Sequence, residues 1–218
     1  MRLRGQEILE IAMAQSAVDL GCEPEDFTRP WSVIVDSVPA EGARAYLDLP
    51  FLCDMVSYGS NVVASIDPRL EGIVKRFLQQ HDFSVCMASP DVLALDAALA
   101  AEGCRVWSMG EYFLPDVERL VPLPCPYPTR WMWPEDYRDL YTPEWSDALC
   151  EKRKHLDTLG LGAFDGEKLV GLAGSSMDCE TMWQIGIDVL PEYRGQGIAS
   201  ALTSHLALEL LRIIDVIM

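Results

Sequence analysis

The residues best suited to chemistry lie between Pro191 and Ser200, in the run PEYRGQGIAS. Arg194 offers a permanent positive charge, and Gly195 and Gly197 let the backbone turn and come close to a ligand. Ile198, Ala199 and Ser200 then open a helical pattern whose first N–H groups have no partner inside the helix. Free N–H groups at the positive end of a helix dipole hold an anion, most often a phosphate. A glycine-containing turn between two packed elements is the plainer reading of the same residues.

The flanking elements must position this turn. Before it, Trp183, Ile185, Ile187 and Val189 alternate with Gln184, Gly186 and Asp188, which predicts a strand. After it, Ile198, Ala201, Leu202, Leu206 and Leu210 fall at helical spacing, with Ser200, Thr203, Ser204, Glu209 and Arg212 at other angles. Further upstream, LGAF, Asp165 with Gly166, and EKLVGLAGSSM read as a β-hairpin, because Asp-Gly supplies the positive φ angles of a two-residue turn. Residues 134–140 read as a short acidic helix. A second helix is expected from Thr142 and Pro143 through Trp145, Leu149 and Leu156 to Gly160, with Lys152, Arg153 and Lys154 on a solvated face.

The first half of the chain reads as a separate α/β layout. A helix over residues 5–20 ends at Gly21, and strands are expected at WSVIVDSV (31–38), NVVASI (61–66), FSVCMAS (83–89) and CRVWSMGEYFL (104–114). Asp67 with Pro68, and Ser89 with Pro90, begin the helices between the last three. VPLPCPYPT, with four prolines in nine positions, can be neither a regular helix nor a central strand. These features predict an N-terminal α/β domain over 1–120, a proline-rich linker over 121–129 and a second domain over 130–218.

Bulk properties narrow the function classes. A chain of 218 residues, half of them hydrophobic, is long enough for a sizeable core. The net charge of −17 argues against a general affinity for nucleic acid or anionic membrane, so a phosphorylated ligand must be held locally. Seven widely spaced cysteines without a CxxC pair predict reduced, buried thiols. Glu7 and Glu10 interrupt what a signal peptide would need to be apolar, and the most apolar late stretch contains His205, Glu209, Arg212 and Asp215. A cytoplasmic protein is expected. His81, His155 and His205 show no ligand spacing, so no metal is expected.

RGQGIA matches the Q/R-x-x-G-x-G/A signature of the GNAT superfamily of acyl-CoA-dependent N-acyltransferases, and IDVLPEYRGQGIASAL resembles the strand, turn and helix that carry it. The resemblance covers about residues 130–212. It implies a mixed central sheet flanked by helices, an α/β (α+β) fold, with acetyl-CoA or another acyl-CoA as cofactor. By position it implies that the backbone at Val189 and Leu190 pairs with the pantetheine arm. The N–H groups across Arg194, Gly195, Gln196, Gly197, Ile198, Ala199 and Ser200 would cradle the pyrophosphate. The reaction implied is attack of an amine, on a small molecule or a protein, on the thioester.

The chain also departs from that family. No carboxylate among Asp178, Glu180 and Asp188 is marked as the base, Gln184 offers none, and the region of the expected acidic tyrosine is absent. Only IIDVIM follows the helix, so the GNAT-like domain is expected to be truncated after its pyrophosphate-binding helix. Two completions of the sheet edge stand open: the N-terminal domain supplies it, or a homodimer does. ALDAALAAEGCRVWSMGEYFL resembles the late helix and strand of the same fold, which makes the first half a candidate degenerate copy. Beside the N-acetyltransferase reading stand a non-catalytic CoA-binding or regulatory module and a shortened product of a longer acetyltransferase.

Overall fold

The computed structural model describes residues 4–213 and, for the backbone alone, residues 216–217. The chain is a mixed α/β protein whose sheets are flanked by helices, divided into two compact units. Ala12–Tyr112 forms one unit, and Phe113 onward forms the other together with the residues up to Ile11.

The N-terminal unit begins within helix α1 (Gly5–Leu20), which stops at Gly21 in the left-handed conformation, φ 72°. Its sheet has the order β1-β3-β2, from β1 (Val33–Asp36), β2 (Cys53–Val56) and β3 (Val63–Ile66). β3 lies between a parallel and an antiparallel neighbour, so all four of its residues are buried. Asp67 accepts the Arg69 N–H at 3.0 Å and starts a 3₁₀ turn that leads into α2 (Glu71–Gln80). α3 (Asp91–Leu99) follows, and Leu70, Val74, Phe77, Leu95 and Leu99 close the core over β3. A buried ion pair between Arg44 and Asp19, with Ser16 on the same guanidinium, ties the 40–46 loop to α1.

Two expected strands do not form. At 83–89 the Asp82 carboxylate accepts the Ser84 N–H and hydroxyl, at 2.8 and 2.7 Å, and the Val85 and Cys86 N–H groups bond the Asp82 carbonyl. That local turn outcompetes the two-residue periodicity. Residues 104–114 take no regular structure, and Trp107 is 97% exposed; among the described residues no neighbouring strand offers this backbone a ladder. The proposed degenerate N-terminal copy therefore lacks the strand on which its resemblance rested.

The C-terminal unit is built on a five-stranded sheet of order β4-β5-β6-β7-β8. Its strands are β4 (Thr129–Met132), β5 (Asp157–Asp165), β6 (Lys168–Ser176), β7 (Met182–Val189) and β8 (Val216–Ile217). All neighbours are antiparallel except β7 and β8, which pair in parallel at Met182 and Trp183. The β5–β6 hairpin forms one residue later than the Asp-Gly pair predicts: Asp165 pairs with Lys168, and Gly166 and Glu167 make the turn. Only Gly166 has positive φ, 60°, which suits a glycine in the first turn position.

The two faces of this sheet are covered differently. Helix α4 (Ile198–Leu210) lays Ile198, Leu202, Leu206 and Leu210 on one face against Leu161, Ala163, Ala173 and the Trp183, Ile185, Ile187, Val189 row. The opposite face is covered by residues 132–149, through Met132, Tyr137, Trp145, Ala148 and Leu149. The helix expected over 142–160 is absent there: only 3₁₀ turns form, at Pro143–Trp145 and Glu151–Arg153, and β5 starts at Asp157. The acidic stretch before it is likewise a single 3₁₀ turn, Pro134–Tyr137. The proline-rich stretch lies on this unit. Leu123 N–H donates to Ser204 Oγ at 3.0 Å, and Cys125 and Tyr127 pack on the α4 core.

Candidate functional site

The turn between β7 and α4 owes its shape to two glycines. Gly195 and Gly197 have φ of 75° and 83°, and a Cβ on either would meet nothing within 4 Å. They are needed for the backbone angle alone, and the space over them is open to a ligand. The first bond of α4 runs from the Ala201 N–H to the Gly197 carbonyl at 3.0 Å. The N–H groups of Ile198, Ala199 and Ser200 precede it, and Gly197 has no side chain to cap them. Ile198 itself is core, 1% exposed, so it offers a ligand only its backbone.

The turn is braced from both sides. Tyr127 and Tyr193 meet edge to face with centroids 5.6 Å apart, and the Tyr127 hydroxyl donates to Gln196 Oε1 at 3.2 Å. Tyr193 donates to Asp165 at 2.9 Å, which holds its phenol above its ordinary pKa. Lys168 reaches Glu192 at 2.8 Å, raising the amine's pKa and lowering that of the carboxyl. Arg194 folds back so that Nε donates to the Val189 carbonyl at 2.9 Å. Among the described residues its two Nη groups have no partner.

Val189 and Leu190 point their backbones in opposite directions. The Leu190 N–H donates to the Val170 carbonyl at 3.0 Å, so it faces β6. By strand alternation the Val189 N–H faces the outer edge. β8 pairs with β7 only at Met182 and Trp183, so among the described residues that edge has no neighbour at Val189.

A cleft of about 350 Å³ opens beside this edge. Asp188, Val189, Leu190 and Arg194 line one side, and Glu144, Ser146 and Asp147 the other. The second side is held down by β6 and β7. Gly174 and Gly186 face each other across these strands, and a Cβ on Gly186 would land on the Asp147 carbonyl oxygen, one on Gly174 on that of Ala148. Two residues beyond Gly186, Asp188 Oδ2 accepts the N–H groups of both Asp147 and Ala148 at 2.9 Å.

Of the side chains weighed as a base, only Asp188 reaches the cleft. Gln184 stands further back on β7, opposite Ser176. Asp178 is buried and bonded by Ser176 at 3.0 Å and Arg153 at 3.3 Å, and Glu180 lies outside the cleft lining. Lys152, Arg153 and Lys154 lie away from the glycine turn. Lys154 stands over the Tyr141 ring, 5.8 Å from its centroid. All seven cysteines are free thiols, and burial pushes those of Cys22 and Cys53 up to about 11 and about 12, which leaves them unreactive at neutral pH.

Glu144, Ser146 and Asp147 were not singled out by the sequence, because their stretch read as the start of a helix. The signal that marks them is the pair Gly174 and Gly186: single glycines inside strands indicate a close backbone approach.

Residues 125–212 match the family model described as the acetyltransferase (GNAT) family. No curated protein matches the chain. Among solved structures, a GCN5-related N-acetyltransferase-like protein from Streptococcus suis 89/1591 is 24% identical, over 42% of this chain and 39% of that one, with a TM-score of 0.35. An aminoglycoside 6'-N-acetyltransferase complexed with coenzyme A is also 24% identical, over 37% and 43%, with a TM-score of 0.26. The chain thus spans about two fifths of the length of each, and both likenesses are too partial for a shared overall fold to follow. The segment carrying the glycine turn, residues 125–212, is a domain of the acetyltransferase (GNAT) family.

Proposed function

We propose that the C-terminal unit binds acetyl-CoA, or another acyl-CoA, and transfers its acyl group to an amine. The observation that carries this reading is the open turn over Gly195 and Gly197, with three unpartnered N–H groups behind it, at the mouth of a cleft within a GNAT-family segment. The cradle suits a pyrophosphate: it offers N–H donors, a helix dipole and the Nη groups of Arg194. When bound, the cofactor supplies an acyl thioester.

The chain's own groups then have distinct parts. The N–H groups of Ile198, Ala199 and Ser200, with Gly195, Gln196 and Gly197, hold the phosphates. Val189 and Leu190 flank the arm, and the outward Val189 N–H is the donor that polarises the thioester carbonyl. The amine approaches from the wall of Glu144, Ser146 and Asp147, whose carboxylates draw in a cation and take up the proton released on attack, directly or through water. The acceptor is an amine of a small molecule or a protein.

The test is thermal stabilisation by acetyl-CoA. At a ligand concentration about 100 times Kd the expected gain is about 2.7 kcal/mol. Gly197→Glu, which places a carboxylate among the N–H groups and forces a side chain onto φ 83°, abolishes that gain. No stabilisation of the parent chain at millimolar acetyl-CoA overturns cofactor binding. Free-thiol release across a panel of amines separates a transferase from a binding module.

A further inference from the structure

We infer that Asp188 is a positioning residue: it holds the segment Pro143–Leu149 on the sheet as the acceptor wall of the cleft. The acceptor part of this inference rests on the acyl-transfer reading; the clamp itself does not.

Four contacts converge on one stretch of backbone. The carbonyl oxygens of Asp147 and Ala148 sit over Gly186 and Gly174, where any side chain would displace them. The N–H groups of the same two residues both donate to Asp188 Oδ2, at 2.9 Å each. Gly186 and Asp188 share a face of β7, so that strand receives the Asp147 carbonyl and both N–H groups, while Gly174 of β6 receives the Ala148 carbonyl. Trp145, Ala148 and Leu149 fill the core beneath, while Glu144, Ser146 and Asp147 remain exposed along the cleft. The backbone of the wall is thereby fixed and its side chains are left to face an acceptor.

The same bonds separate Asp188 from the role of base. Asp188 Oδ2 is committed to two backbone N–H donors, which fix the side chain against the wall. Its task is geometric, and it couples the strand beside the cofactor to the wall beside the acceptor. Release of the wall weakens acceptor binding and leaves the glycine turn in place.

The experiment compares Asp188→Ala with Asp188→Asn. Asparagine keeps one oxygen for both N–H groups; alanine keeps none. Amide hydrogen exchange is followed on a peptide spanning 143–149, with no cofactor present. Asp188→Ala speeds that exchange about tenfold or more, while peptides from β5 and β6 are unchanged. Asp188→Asn retains slow exchange. In turnover assays Asp188→Ala raises the acceptor KM about fivefold or more with a smaller fall in kcat, and the stabilisation by acetyl-CoA persists. Slow exchange in Asp188→Ala overturns the clamp. A collapse of kcat in Asp188→Asn, with exchange still slow, makes Asp188 the base and overturns the positioning role. A chain with neither turnover nor acetyl-CoA stabilisation overturns the proposed function, and the exchange result still decides the clamp.

Discussion

Replacing Gly186 with alanine tests how closely the wall is seated on the sheet. The new Cβ would overlap the Asp147 carbonyl oxygen and stand 3.1 Å from the Ala148 Cα, and both are backbone atoms that cannot rotate away. Overpacking of this kind costs about 1–3 kcal/mol. Lifting the segment also stretches the two bonds to Asp188, and hydrogen bonds to a charged group are worth about 1.5–3 kcal/mol each. A loss of about 3–5 kcal/mol is expected, allowing for partial solvent access. Gly162→Ala is the control. Its Cβ would also be crowded, but by the ends of side chains: Leu169 Cδ1 and Met132 Sδ at 2.8 Å and Phe164 Cε2 at 2.9 Å. These can shift, so about 1 kcal/mol is expected. The unfolded-state gain on replacing glycine is common to both variants and cancels in the comparison. Urea unfolding followed by tryptophan fluorescence reports the difference, since Trp131, Trp133, Trp145 and Trp183 all belong to the C-terminal unit. A gap of about 2 kcal/mol corresponds to midpoints about 1 M apart. Coincident midpoints refute the close seating.

Two further outcomes can be checked. Burial holds the Asp157 carboxyl, which accepts the Tyr141 hydroxyl at 3.0 Å, above the usual carboxylate range. The folded state therefore binds that proton more tightly than the unfolded state, and the resulting stability is present below the ordinary carboxylate pKa and lost as pH rises through the raised one. Asp157→Asn, which cannot ionise, should gain stability relative to the parent as pH rises through the acid range; a difference independent of pH in urea midpoints counts against this. Arg194→Gln should weaken acetyl-CoA binding about tenfold by calorimetry through loss of the cation, while the unliganded melting temperature stays within a few degrees, because Arg194 is exposed. An unaltered Kd removes Arg194 from the site.

The most legible part of the sequence was the stretch that the candidate site uses. The alternation from Trp183 to Val189 and the helical spacing from Ile198 to Leu210 each reflect a single buried face, and β7 and α4 formed where that pattern placed them. The hairpin was legible to within one residue because its turn chemistry is local. What stayed hidden depends on partners distant in sequence. The helical spacing of Trp145, Leu149 and Leu156 is real, but the Asp147 and Ala148 backbones are taken by Asp188, Gly174 and Gly186, which no window around residue 147 contains. One bond of helical type survives, from the Leu149 N–H to the Trp145 carbonyl at 2.8 Å. Residues 104–114 failed in the opposite way: the strand composition is present, and among the described residues no neighbouring strand is.

The seating of Pro143–Leu149 separates what the fold requires of that segment from what it leaves unspecified. The sheet grips it through main-chain carbonyl and N–H groups, and the core asks only for apolar side chains at Trp145, Ala148 and Leu149. Among the described residues, the side-chain bonds of residues 144 and 146 stay local: Ser146 Oγ donates to the Pro143 carbonyl at 3.1 Å, and the Glu144 carboxylate is bonded by Thr142. Positions 144, 146 and 147 can drift or be randomised without dismantling the platform, so acceptor preference can change over evolutionary time, or in a selection, while the cofactor turn stays as it is. A library confined to them is the smallest one that explores new acceptors on an unchanged frame.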